Sequence, residues 1–161
     1  MSNKKAFKDG EANQWFTRNI RALEKNDGNE PISLLCNWLQ PFKKNINNVL
    51  EIGCGSAHKL NSLCKSLDSV GYGVEPSMEA VRYINATSPE LTVKGGFGDD
   101  VPFGETFDLV HLGFYLYLVD RDKYLSCIKE ADRLVRPGGF LSIIDFDTHI
   151  GIQIHTHIKK G

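Results

Sequence analysis

Five short apolar runs, at 47–53, Val70–Val74, Leu91–Lys94, Phe107–Leu112 and Phe140–Phe146, are separated by stretches with helical spacing of apolar residues. Runs of this length with few polar interruptions read as strands buried on both faces. Strands that alternate with helices dictate a parallel sheet with right-handed crossovers and a helical layer on each side. The spacing predicts helices over 9–25, from Pro31 to Leu39, over 57–68, over Met78–Ala86 and from Asp120 to Val135. Trp15, Phe16, Ile20 and Leu23 form the apolar stripe of the first, and Leu60, Leu63, Cys64 and Leu67 that of the third. Pro31 suits a first helical turn, Pro41 ends the second helix, and Ser77 and Asp120 can cap the helices that follow them. The RPGG stretch at 136–139 reads as a turn. The expected class is α/β, with a mostly parallel central sheet.

Charge removes several functions. Lys plus Arg total 19 and Asp plus Glu total 20, a formal net charge of −1. No basic field is available for phosphates, so nucleic acid is not an expected partner. No apolar run approaches the ~20 residues of a membrane span. The longest, Leu109–Val119, contains His111, and the opening MSNKKAFKDGEANQW lacks a signal-peptide core. Cys36, Cys54, Cys64 and Cys127 form no CxxC pair, which fits free thiols in a reducing, cytoplasmic setting. One domain over 1–161 is expected, with a helical segment at 1–42, a core at 43–147 and a tail at 148–161.

In open α/β sheets, ligands sit beyond the carboxyl ends of the strands. The first strand ends in Glu51-Ile52-Gly53-Cys54-Gly55-Ser56-Ala57. Glycines there allow positive φ and close approach of a ligand to the backbone, and the next helix presents free N–H groups. A dinucleotide fingerprint would place glycine or alanine where His58 stands, and Glu51 is awkward beside a pyrophosphate. A cofactor without phosphate and with a cationic centre suits the acid better. A Walker loop is excluded, because no GK[ST] follows. Glu75 lies 20 residues after Gly55 at the end of the second strand, where a carboxylate can accept both hydroxyls of a ribose. The bland alternative is a solvated strand-end carboxylate beside an ordinary turn. Beyond the third strand, GGFGDD can close over a flat base, with Phe97 or Val101 stacking and Asp99 or a backbone N–H reading the base edge.

Taken in order, VLEIGCGSA, GYGVEPSMEAV, GDDVPFGETFDLV and ADRLVRPGGFLSIID resemble the successive motifs of class I S-adenosylmethionine-dependent methyltransferases over roughly residues 49–147. The resemblance implies a Rossmann-like three-layer sandwich that binds S-adenosyl-L-methionine and yields S-adenosyl-L-homocysteine. Gly53, Cys54 and Gly55 would line the methionine portion, and Glu51 would organise the turn, through water. Glu75 would hold the ribose, with Pro76 and Ser77 beside the adenine and Gly98 and Asp99 across from it. Gly113 would sit near the sulfonium and the acceptor. The helix carrying Trp15 and Arg18 would act as a lid, Trp15 covering the cofactor and Arg18 meeting its carboxylate. Three departures stand out. Ala57 replaces a glycine, Phe97 stands where an acid is common, and the usual last C-terminal strands are missing beyond the fifth, as in a truncated chain.

Methyl transfer from a sulfonium is an in-line displacement that depends chiefly on positioning, so no catalytic triad is expected. Catalytic residues stay unassigned. The candidates are Tyr115 and Tyr117, which can orient a hydroxyl or amine, and His111, which can act as a base if it faces the pocket. Core packing is the alternative for all of them. The tail THIGIQIHTHIKKG alternates isoleucine with polar residues. It fits a strand on the sheet edge, or one that pairs between chains into a homodimer. His149, His155 and His157 raise a metal question, but no carboxylate or cysteine stands at ligand spacing, and no metal is expected. The expected function is O- or N-methylation of a small molecule. The rivals are a cofactor-binding domain without turnover and a nicotinamide-dependent oxidoreductase.

Overall fold

A computed structural model describes residues 2–25, 30–147 and 151–158. A short helix, α1 (Asn3–Ala6), leads through a kinked turn at Phe7–Glu11 into α2 (Ala12–Lys25) and α3 (Glu30–Leu39). Then come β1 (Asn48–Ile52), α4 (His58–Leu67), β2 (Val70–Glu75), α5 (Met78–Thr87), β3 (Thr92–Gly95) and β4 (Phe107–Gly113). The chain continues into α6 (Tyr124–Leu134), β5 (Val135–Asp147) and β6 (Gly151–Ile158). The strands form one sheet in the order β3-β2-β1-β4-β5-β6. β1 to β5 run parallel and β6 is antiparallel to β5. The tail is therefore an edge strand of this sheet, Phe140 pairing with Ile158 and Asp147 with Gly151.

The sheet is buried on both faces. Leu35 and Leu39 of α3, Leu60, Leu63 and Leu67 of α4, and Ile84 of α5 pack with Val49 and Leu109 on one side. Ala131 and Leu134 of α6 pack with Leu50, Ile52, Val110 and Phe107 on the other. Full burial of each such side chain contributes on the order of 1.5–3 kcal/mol. At the amino ends of the strands, Asp108 accepts the Asn47 N–H at 2.6 Å and pairs with Arg136. Arg136 also donates to the Asn45 carbonyl at 2.9 Å. Strand order reverses between β1 and β4, which opens the crevice at their carboxyl ends.

Several local expectations change. The first helix starts at Ala12, not residue 9, because Gly10 breaks the backbone at φ +118°. Past Pro41 the chain tightens into a 3₁₀ turn over Gln40–Asn45, where proline occupies a first-turn position. RPGG lies inside β5, with a register shift opposite Phe107–Leu109 that absorbs Gly138 at φ +76°. Ser77 caps α5 by accepting the Ala80 N–H at 3.1 Å. Asp120 makes no cap hydrogen bond within its own turn and is used elsewhere.

Candidate functional site

The turn after β1 curls back onto β2. The N–H groups of Gly53 and Cys54 both donate to the Val74 carbonyl, at 2.8 and 3.2 Å. Glu75 then locks the turn from the side: one carboxylate oxygen accepts the Gly55 N–H at 2.8 Å and the other accepts the Ser77 N–H at 2.9 Å. Glu75 is only 8% exposed yet lines the pocket, so it is not a solvated strand-end acid. Gly53, Cys54, Gly55 and Pro76 line the same cavity. Ser77 does not; its fully buried hydroxyl donates to Asn13 Oδ1 at 2.9 Å and so docks α2 on α5.

Beneath the cavity lies a buried polar row. Parallel pairing sets Glu51 beside His111 and His111 beside Ser142, all on the face that packs against α4. All three are 0% exposed. His111 Nδ1 lies 3.2 Å from Ser142 Oγ, while His111 Nε2 and both Glu51 oxygens have no hydrogen-bond partner among the described residues. Gly113 closes this row on the pocket side. A Cβ there would stand 2.5 Å from His111 Nε2 and 3.2 Å from Glu51 Oε1, so only glycine leaves the two groups this opening. His111 does not line the cavity, which removes it from direct contact with an acceptor.

Burial sets the protonation of these groups. It lifts the Glu51 carboxyl to about 8, opposed in part by the Lys59 charge and the Leu60 backbone and reinforced by Glu75. It lifts Glu75 to about 7 against the Ser77 and Gly55 N–H groups. It pushes the His111 imidazole down to about 3, with help from the Lys59 charge. The Cys54 thiol is raised by burial and then by the two carboxylates, and stays protonated.

The raised carboxyls hold protons in the folded chain that the unfolded chain releases above its ordinary carboxyl range. Their contribution to stability is complete at low pH and is lost as pH rises through about 7 and 8. His111 acts oppositely, but only below its ordinary value of 6.5. The ligand-free protein should therefore lose thermal stability between pH 6.5 and pH 8. Glu51→Gln should raise the midpoint at pH 8 by at least about 3 °C, what roughly 1 kcal/mol yields in a domain of this size. Melting curves that stay flat over this window in the parent chain would contradict the buried-acid assignment.

The N-terminal segment forms the cavity mouth. Asn3, Lys4, Phe7, Ala12 and Trp15 all line it. Asp120 accepts the Asn3 and Lys4 N–H groups at 2.8 and 3.3 Å, which is why it does not cap its own turn. Lys4 Nζ pairs with Asp99 at 2.5 Å, so Asp99 lines the pocket but is held by α1. Phe97 also lines the cavity and carries Lys4 and Lys8 over its ring. Arg18 is a correction. It pairs with Glu11 on the exposed side of α2 and does not line the cavity, because α2 turns Trp15 inward and Arg18 outward.

Tyr115 spans the pocket from the β1 turn to the loop after β3. Its ring lies where a Cβ of Gly53 would stand, and its hydroxyl accepts the Gly98 N–H at 2.9 Å. Gly98 itself does not line the cavity. Burial raises the Tyr115 phenol and, with Asp145, the Tyr117 phenol, so both keep their protons near neutral pH. Phe114 adopts a left-handed backbone at φ +56°, which turns its ring onto the α4 face. Phe146 packs 4.9 Å from it and Tyr117 lies 5.2 Å from Phe146, giving an aromatic wall. The cavity has a volume of about 390 Å³, within the range of small-molecule sites.

A sequence profile of the family described as "Methyltransferase domain" matches residues 49–139, more than half of the chain. The chain belongs to this methyltransferase-domain family. The uncharacterized methyltransferase sll0829 of Synechocystis sp. strain PCC 6803 is 32% identical over 98 residues, which cover 60% of this chain. The chain spans 46% of that relative's length. S-adenosylmethionine-bound CalS10, an amino pentose methyltransferase of Micromonospora, superposes with a TM-score of 0.71 at 14% identity, covering 82% of this chain and 58% of its own. The sugar N-methyltransferase KedS8 of Streptoalloteichus gives 0.67 at 18% identity, covering 84% and 57%. These likenesses establish the Rossmann-like fold of the methyltransferase domain. No described helix is long and apolar enough to cross a membrane. Among the described residues no histidine, cysteine and carboxylate cluster is suited to a metal. His149 and the side chains of β6, where the tail histidines lie, fall outside the described set.

The cavity is also lined by residues outside the expected set, among them Lys4, Phe7, Lys59 and Phe146. Of these, only Lys59 carries a sequence signal, through its nearness to the end of β1.

Proposed function

We propose that this methyltransferase domain binds S-adenosylmethionine and methylates a small molecule at nitrogen or oxygen. The observation that carries the reading is the joining, in one cavity, of the glycine turn and a buried Glu75 locked to it by two N–H bonds. The residues also fit the cofactor in charge. The Glu51 carboxyl, buried beneath Gly113 with both oxygens unpartnered among the described residues, suits a cofactor with a cationic end better than a pyrophosphate.

When bound, the cofactor would supply an electrophilic methyl on a sulfonium, which passes to the acceptor lone pair as the carbon–sulfur bond breaks and the thioether, S-adenosylhomocysteine, leaves. Glu75 accepts the ribose hydroxyls. Pro76 and Phe97 flank the base, while Trp15 and Phe7 exclude water from above. Phe114, Tyr117 and Phe146 orient the acceptor. Neither tyrosine is a base near neutral pH, and His111 is sealed under the floor. An amine acceptor that is neutral at the working pH has a free lone pair and loses its proton only after the methyl is taken, so it is favoured over a hydroxyl. CalS10 and KedS8, by their descriptions an amino pentose and a sugar N-methyltransferase, point the same way.

The test pairs calorimetric binding of S-adenosylhomocysteine with turnover on amino sugars, other small amines and phenols. Binding with methyl transfer to an amine is expected. Binding without turnover on any acceptor would leave a cofactor-binding domain, and NADH binding in place of S-adenosylhomocysteine would overturn the reading.

A further inference from the structure

The charges of the cavity are unequally answered. Its wall carries one buried carboxyl, Glu75, and a second, Glu51, lies sealed beneath it. The amino-acid end of the proposed cofactor also bears a carboxylate, and that group needs a cation. Arg18 is excluded by its pairing with Glu11 outside the cavity. Lys4 lines the cavity but is held by Asp99. Lys123 stands exposed on the far rim, where its charge acts on Cys127.

Lys59 differs from all of these. It is the second residue of α4, four positions after Gly55, half-buried in the cavity wall. Its ammonium rests 5.3 Å from the centre of the Phe114 ring and makes no ion pair among the described residues. The left-handed backbone of Phe114 is what brings that ring under the lysine. An aromatic face steadies an ammonium without neutralising it, so the charge stays available. Lys59 also acts electrostatically on Glu51, Cys54 and His111, the groups that surround Gly53 and Gly113. It is thus a lining cation whose charge reaches the groups around Gly53 and Gly113.

We propose that Lys59 is the carboxylate anchor of this site, its ammonium taking the carboxylate at the amino-acid end of the cofactor, an assignment that rests on the cofactor reading above. A charge-assisted hydrogen bond in a half-buried wall gives the lysine a measurable share of the affinity.

The test compares two ligands that differ only in that end. S-adenosylhomocysteine carries the amino acid; 5′-methylthioadenosine keeps the adenosine and thioether without it. Calorimetry on the full chain should show Lys59→Gln and Lys59→Met weakening S-adenosylhomocysteine by about tenfold or more, with 5′-methylthioadenosine unchanged. Lys59→Arg should restore most of the loss. Equal weakening of both ligands would assign Lys59 to support of the turn and overturn the proposal, as would unchanged S-adenosylhomocysteine binding. If the parent chain binds neither ligand, the cofactor reading falls and the anchor with it. Failure of the anchor alone leaves parent binding intact.

Discussion

Replacing Glu75 by alanine should weaken S-adenosylhomocysteine binding by about tenfold to a hundredfold, since buried hydroxyls would lose a charged acceptor. The structure makes the carboxylate do a second thing. It accepts the Gly55 and Ser77 N–H groups, so alanine also leaves two donors of the turn unsatisfied. Glu75→Gln removes the charge and keeps the shape, but its amide can accept only one of the two N–H groups and turns an NH2 donor towards the other. The glutamine variant should therefore melt between the parent and the alanine variant, and bind more weakly than the parent. The difference between glutamine and alanine measures the one N–H acceptor that glutamine keeps. Because burial holds the Glu75 carboxyl at about 7, ribose hydroxyls that donate to it favour the ionised form. Affinity should therefore rise from pH 6 to pH 8, with proton release that differs between buffers of unlike ionisation enthalpy. Parent affinity retained in both variants would show that the ribose lies elsewhere.

The parts of this molecule legible from sequence are those where burial admits one answer. Apolar runs such as Val49–Ile52 and Phe107–Leu112 have no alternative to a strand covered on both faces. The Glu75 and Gly55 partnership is legible because parallel pairing of β1 and β2 puts a carboxylate 20 residues on beside the turn. What escapes notice depends on distant contacts. Asp120 looks like a helix cap, but the N–H groups of Asn3 and Lys4, over a hundred residues away, take its carboxylate. Arg18 and Trp15 sit on one helix, and only packing against the sheet decides which faces the cavity. Lys59 looks like a solvated lysine in a first helical turn. Its position in the wall follows from the left-handed backbone of Phe114, for which a non-glycine residue offers no signal. His111 sits in an apolar run, and only register reveals that Glu51 stands beside it.

Gly53→Val should abolish S-adenosylhomocysteine binding, yet the structure shows two separate reasons for glycine at this position. One is conformational and general: φ is +75°, where a β-branched residue is a true outlier. The other is that the Tyr115 ring occupies the place of a Cβ. Valine must therefore strain the backbone, displace Tyr115 and loosen its bond to the Gly98 N–H, so a lowered melting temperature accompanies the lost binding. Alanine is the cleaner probe, since left-handed backbone costs it only about 1–2 kcal/mol. A double-mutant cycle with Tyr115→Ala then separates the causes. If Gly53 serves only to seat the tyrosine, removing the ring makes the alanine harmless, and Gly53→Ala/Tyr115→Ala binds as well as Tyr115→Ala alone. If the bare backbone is where the methionine portion of the cofactor lies, the added methyl still blocks it after the ring has gone. The second result is expected: the double variant, shown to be folded by circular dichroism, should bind at least about tenfold more weakly than Tyr115→Ala. Equal affinity in the two would return Gly53 to a packing role and move the cofactor off the turn.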